Sequence, residues 1–209
     1  MERINWFKNM NEATEDIKGG SKLLMMFFYS PSCDGSMKTI NETLENEDVA
    51  SLIERECAPI KLNIEDKKEL AKERNVDWTP TFILADEHGR ELERWVGYLP
   101  ARDFMAQLLL SKGLSDFHLE RHTDAIAEFE EIVEEFTDTD LVPEAEYFIG
   151  AANFKLTGQN DTLIDVCHIL TSRYPESQWT KKCSVWAHLT HSAPFVGYDG
   201  GGSIGGGAY

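Results

Sequence analysis

The 209 residues carry 37 acidic against 20 basic side chains, a formal net charge of −17 at neutral pH. That surplus, spread over helix-like segments such as 128–135, favours solubility and opposes contact with phosphate backbones and anionic lipid, so neither nucleic acid nor a membrane is an expected partner. No apolar run approaches the roughly 20 residues needed to span a bilayer, and residues 1–22 lack a signal peptide's apolar centre, so the expected location is cytoplasmic.

In chain order, Trp6, Met10, Ala13 and Ile17 fall at helical spacing and predict a helix over 5–18, stopped by Gly19 and Gly20. Leu23 to Tyr29 is a continuous apolar run, as expected of a central strand buried on both faces. Ser30-Pro31-Ser32-Cys33-Asp34-Gly35-Ser36 then turns into a helix with Met37, Ile40 and Leu44 at its inner spacing. Val49, Leu52 and Ile53 predict a second short helix beginning after Asn46 or Asp48. Ala58 to Ile64 returns to strand character, Asp66 is placed to cap a helix ending near Arg74, and Asn75 to Pro80 ends it. Thr81–Leu84 and Arg90–Val96 read as an antiparallel pair turned by Gly89, and Pro100 opens a helix with Phe104 and Leu108 inward. A strand-helix-strand unit followed by a hairpin and a covering helix implies an α/β domain of three layers with a mixed sheet.

Cys33 is the residue that carries chemistry. A thiol at a helix start meets free N–H groups and the positive end of the helix dipole, both of which favour its anion. Asp34 beside it opposes that ionisation. The four cysteines, Cys33, Cys57, Cys167 and Cys183, show no Cys-x-x-Cys spacing, so neither a zinc site nor a disulfide framework is signalled and no cofactor is called for. Cys57, at the start of its strand, would lie at the opposite end of the sheet from Cys33. His88 in the hairpin turn reads as solvated.

Four landmarks in order make the first half resemble the thioredoxin family: Cys33 after the central strand, Lys61-Leu62-Asn63-Ile64 in its neighbour, Thr79-Pro80 before the hairpin, and Val96-Gly97-Tyr98 before the last helix. The resemblance implies a cis Thr79-Pro80 bond facing Cys33, with an extended substrate backbone beside it. It also exposes three departures. Ser36 stands where a two-cysteine site has its resolving thiol, Ser32 where tryptophan is usual, and Phe27 where a buried acid often sits, leaving Lys61 without its usual partner.

From about Gly113 the pattern is helical only and repeats at a spacing near 37: Gly113, Phe117, Ala125, Phe129 and Ile132 recur in role as Gly150, Phe154, Leu163, Cys167 and Leu170. Leu156 and Gly158 end one helix, and Tyr174-Pro175-Glu176-Ser177 leads into another that carries Trp179. This is similar to the tetratricopeptide repeat, which implies a short groove for polypeptide segments; a helical cap or a dimerisation element is the other reading. The resulting division is 1–112 thioredoxin-like, 113–190 helical, and 191–209 a Gly-rich tail expected to be disordered. The helix from Ala101 has no breaker before Gly113 and is expected to join the two parts without a break.

Two functional readings stand. In one, Cys33 is a monothiol nucleophile, Ser36 donates a hydrogen bond to its thiolate, Thr79, Pro80 and Trp78 hold the substrate, and glutathione or another thiol resolves the mixed disulfide formed with a protein or peptide client. In the other, the site is chemically silent and the chain is an adaptor or chaperone-like protein that binds polypeptides.

Overall fold

A computed structural model describes residues 3–191; the expected tail lies outside them apart from residue 191. The elements are α1 (Met10–Ile17), β1 (Leu23–Tyr29), α2 (Asp34–Lys38), α3 (Glu47–Glu56), β2 (Cys57–Asn63), α4 (Lys68–Glu73), β3 (Thr81–Ala85), β4 (Glu91–Val96), α5 (Ala101–His118), α6 (His122–Glu135), α7 (Val142–Thr157), α8 (Asp161–Arg173) and α9 (Gln178–Cys183), followed by a 3₁₀ turn over Ser184–His188.

Alternation along β1 builds two cores. Leu23, Met25 and Phe27 face α3 and α5, while Leu24, Met26 and Phe28 face α1 and α4. The sheet order is β2-β1-β3-β4, with β1 parallel to β2 and the other pairs antiparallel. The expected three-layer mixed sheet is therefore present.

Local chemistry moves several boundaries. Helix α1 starts at Met10, not Asn5, because the Asn9 side chain accepts from the Glu12 N–H and caps it. Trp6 precedes the helix, in a segment whose Phe7 N–H donates to the Pro59 carbonyl at 2.9 Å. Lys67, not Asp66, stands at the N-cap of α4. After α2 comes a single π turn, closed by Leu44 N–H to Thr39 carbonyl at 2.9 Å, and the buried face of the segment is Ser36, Thr39 and Thr43 together with the expected Leu44. Met37 and Ile40, expected on the inner face, are only half-buried. The buried threonines satisfy themselves, Thr39 Oγ1 donating to the Gly35 carbonyl and Thr43 Oγ1 to the Leu99 carbonyl at 2.6 Å.

Helix α5 is continuous from Ala101 to His118, so the division at Gly113 falls inside one helix. One apolar cluster runs from β1 and β3 through Phe104 and Leu108 to Phe129 and Ile132 of α6 and Ala145 of α7. The repeat has a packing basis. A Cβ on Gly113 would sit 2.6 Å from the Phe129 ring, and one on Gly150 would sit 2.9 Å from Val166. Both contacts are offset by 37 residues, which pairs Phe129 with Val166 where the sequence pattern pairs it with Cys167. Gly113→Ala should therefore cost about 1–3 kcal/mol in urea unfolding, and Phe129→Leu in the same chain should return part of it; strict additivity of the two changes would contradict the contact.

Glu128 corrects the reading of 128–135 as a solvated stretch. It is buried on the inner side of α6, where Lys112 Nζ of α5 donates to it at 3.1 Å.

Candidate functional site

Cys33 is the N-cap of α2, in extended conformation, directly after the turn in which its own N–H donates to the Ser30 carbonyl at 3.1 Å. β1 delivers the turn and β3 delivers its counterpart. The Thr79–Pro80 bond is cis, and the Cys33 thiol donates to the Thr79 carbonyl at 3.1 Å. Pro80 is fixed from behind, because its carbonyl accepts from the Gly97 N–H at 2.8 Å; Gly97 has φ +104°, a conformation that favours glycine. On the other side Gly35 leaves room: a Cβ there would approach Pro80 Cδ to 3.3 Å and Cys33 Sγ to 3.8 Å.

The thiol and the thiolate use different partners. The neutral thiol donates to the Thr79 carbonyl. The anion is served first by the Thr79 hydroxyl and then by the Ser36 N–H, with smaller contributions from the Ser36 hydroxyl and the Gly35 N–H. Together these outweigh partial burial and hold Cys33 below the usual thiol range. Asp34 is exposed and is not among the groups that move it.

Ser36 is fully buried, and its hydroxyl oxygen accepts from the Ser30 N–H at 3.3 Å, which leaves its proton available to the sulfur. Thr79 and Pro80 are buried. Trp78, by contrast, is 71% exposed directly before the cis bond. The structure thus brings Cys33, Ser36, Thr79 and Pro80 together and leaves Trp78 as an open apolar surface at the margin.

Sequence reasoning missed the scaffold beneath Cys33. Ser30 Oγ donates to Glu65 Oε1 at 3.1 Å and lies 2.8 Å from Ser32 Oγ, pinning the turn to the segment after β2. The only sequence signal was two serines around Pro31 in the turn itself; Glu65 becomes a neighbour through the β1–β2 register, which sets Tyr29 against Asn63.

At the position of the usual acid, Phe27 stacks on Phe82 at 4.6 Å. Lys61 is not stranded by that change, since its ammonium faces the Tyr29 ring at 5.3 Å and the Trp6 ring at 5.9 Å. Cys57 pairs in register with Leu23 while Asn63 pairs with Tyr29, so it occupies the far end of the sheet from the Cys33 turn. Burial pushes its thiol far up. His88 is 82% exposed at its side chain, as expected of a turn residue. A cleft of about 450 Å³ opens at that far end, between Lys22, Asp86, His88 and Arg121, and has no part in the Cys33 arrangement.

The cis Thr79–Pro80 bond beside a cysteine N-cap, on a β2-β1-β3-β4 mixed sheet, coincides with a match of residues 10–111 to the model of a thioredoxin-like domain. Residues 10–111 form a thioredoxin-like domain. Solved structures similar to the chain include a thioredoxin from Thermus thermophilus (23% identity, 54% of this chain and 92% of that one, TM-score 0.46). Another is the oxidised DsbD C-terminal domain of Neisseria meningitidis (18% identity, 46% and 85%, TM-score 0.40). A thioredoxin-fold protein from Helicobacter pylori shares 18% identity over 70% of this chain and 98% of its own, with TM-score 0.41. No curated protein matches at a significant level. The thioredoxin-like domain is followed by a helical region, α6 to α9. Among the described residues no helix is long and apolar enough to cross a membrane.

Proposed function

We propose that the protein carries out monothiol exchange on polypeptide clients, with Cys33 as nucleophile. The Cys33 thiolate attacks one sulfur of a client disulfide, that S–S bond breaks, and the other client sulfur leaves as a thiolate that takes a proton from solvent. The resulting mixed disulfide is resolved by an external thiol, glutathione or a second protein's cysteine. Its thiolate attacks the client sulfur and returns the electron pair to Cys33.

Ser36 hydrogen-bonds the Cys33 thiolate during both steps. Thr79 and Pro80 align the client backbone, and Trp78 covers its apolar side. The helical region, similar to a short tetratricopeptide array, holds a further segment of the client, and the acidic surface selects basic segments. The site of action is cytoplasmic.

The observation that carries this reading is the placement of a depressed, partly exposed thiol against the Thr79 carbonyl at the cis bond. A second reading, an adaptor without thiol chemistry, draws on Phe27, whose aromatic packing replaces a proton relay. One experiment separates them. Wild type should be inactive as a dithiol reductase but accumulate client adducts that reductant releases. Ser36→Cys should raise reductase turnover by roughly tenfold or more, because an intramolecular resolver acts at high effective concentration. Equal turnover by both proteins, with no adducts on wild type, would leave the adaptor reading.

A further inference from the structure

Two cysteines outside the thioredoxin-like domain form a pair that the exchange chemistry does not use. Cys167 lies in the middle of α8 and Cys183 is the last residue of α9. Both are buried with Val166 and Leu170, beneath Trp179 and Trp186. Cys167 Sγ donates to the Cys183 carbonyl at 3.1 Å, while the Cys183 thiol donates to the Thr180 carbonyl at 3.2 Å and lies 4.0 Å from the Cys167 carbonyl. The two side chains therefore meet across the α8–α9 contact, and turning the Cys183 side chain away from the Thr180 carbonyl brings its sulfur toward Cys167; a disulfide further requires α carbons within about 7 Å.

We propose that Cys167 and Cys183 form a reversible disulfide clasp, made by a low-molecular-weight disulfide such as oxidised glutathione, that fastens α9 to α8. One of the two thiolates attacks a sulfur of the glutathione disulfide, its S–S bond breaks, and one glutathione leaves and is protonated. The second cysteine loses its proton to solvent and attacks the mixed disulfide at the protein sulfur, and the second glutathione leaves. Two protein thiols are oxidised and one small disulfide is reduced to two thiols.

The clasp has a structural purpose. A six-residue helix has no stability of its own and depends on packing, and α9 carries Trp179, which packs with Tyr147 and Phe148 of α7. Joining residues 16 positions apart removes open conformations of α9. Closed, the pair is inert, because burial and the neighbouring Cys167 thiol push Cys183 up to about 12. Reaction proceeds when α9 lifts, so the clasp forms more slowly than a glutathione adduct on the partly exposed Cys33.

The test incubates the full chain with oxidised glutathione at mildly alkaline pH, quenches with acid, alkylates and maps the peptides. The expected result is a Cys167–Cys183 linked peptide lighter by two hydrogen atoms, formed after Cys33 has reacted and with Cys57 still reduced. Amide exchange over 178–183 should slow roughly tenfold and recover with dithiothreitol. Recovery of Cys167 and Cys183 as free thiols, or as two separate glutathione adducts, once Cys33 has reacted fully would overturn the proposal. So would slowed exchange that persists in Cys183→Ser. The wild-type map decides the matter whether or not that variant folds.

Discussion

Lys112→Met should lose about 3–5 kcal/mol of stability in urea unfolding at neutral pH, one of the two largest losses expected of a single substitution here. Lys112 is 1% exposed, and its ammonium is ion-paired with Asp116, with Glu128 at 3.1 Å and with Glu56 at 3.8 Å. Arg121 pairs with the other side of Asp116. Burial alone would lower the Lys112 pKa, but Asp116 and Glu128 outweigh it and raise it. Removing the cation leaves buried carboxylates uncompensated.

The pH dependence follows from Glu128, which burial pushes up to about 7 against the opposing pull of Lys112. A carboxyl raised on folding contributes fully below its unfolded value and loses that contribution as pH rises through the folded one. Asp116 is raised in the same direction, as is Glu93, which burial, Glu144 and Glu91 push up to about 7. Wild type should therefore be more stable near pH 5.5 than near pH 8, and Lys112→Met should recover part of its loss on acidification because Glu128 then binds its proton even more tightly. A deficit that does not change between those values would contradict the network.

Phe82→Ala should cost a similar amount, about 3–5 kcal/mol, and should also disturb the thiol. Phe82 lies between Phe27 at 4.6 Å and Trp95 at 4.9 Å, with the Phe104 ring edge-on at 5.0 Å, so truncation opens a cavity lined by three rings that cannot collapse together. It sits two residues past Pro80 on β3, the strand that presents the Thr79 carbonyl and hydroxyl to Cys33. Below the unfolding transition, Cys33 in Phe82→Ala should react with a thiol reagent at a midpoint closer to free cysteine. Phe82→Leu, which keeps most of the volume, should lose less on both counts. An unfolding loss with no change at Cys33 would separate the aromatic core from the site.

The sequence pattern made some features legible and hid others for identifiable reasons. The β1 run has no polar position, so burial on both faces follows directly; the mixed sheet follows from a strand-helix-strand unit succeeded by a hairpin, and the order Cys33, Thr79-Pro80, Val96-Gly97-Tyr98 carries the resemblance that implied the cis bond facing Cys33. The unbroken α5 was legible from the lack of any breaker before Gly113. The Lys112 network was not, because a charged residue is normally solvated; Asp116 lies one turn on along α5, but only the α5–α6 pairing brings Glu128 to the same ammonium and buries all three. Ser36, Thr39 and Thr43 were passed over as an inner face for a related reason: apolar spacing pointed to Met37, Ile40 and Leu44, of which only Leu44 is buried, whereas the three hydroxyls each find a backbone partner that permits their burial. The Cys167–Cys183 approach depends on how α9 folds back, which no spacing encodes.

The central claim is that this site holds an activated thiol, and the most direct test is the rate of Cys33 alkylation against pH, with Cys33→Ala as the blank. The Thr79 hydroxyl and the Ser36 N–H favour the anion, so the rate should rise with a midpoint clearly below the value of about 8.5 for free cysteine, and Ser36→Ala should move that midpoint upward. A midpoint at or above the free-cysteine value would contradict the account.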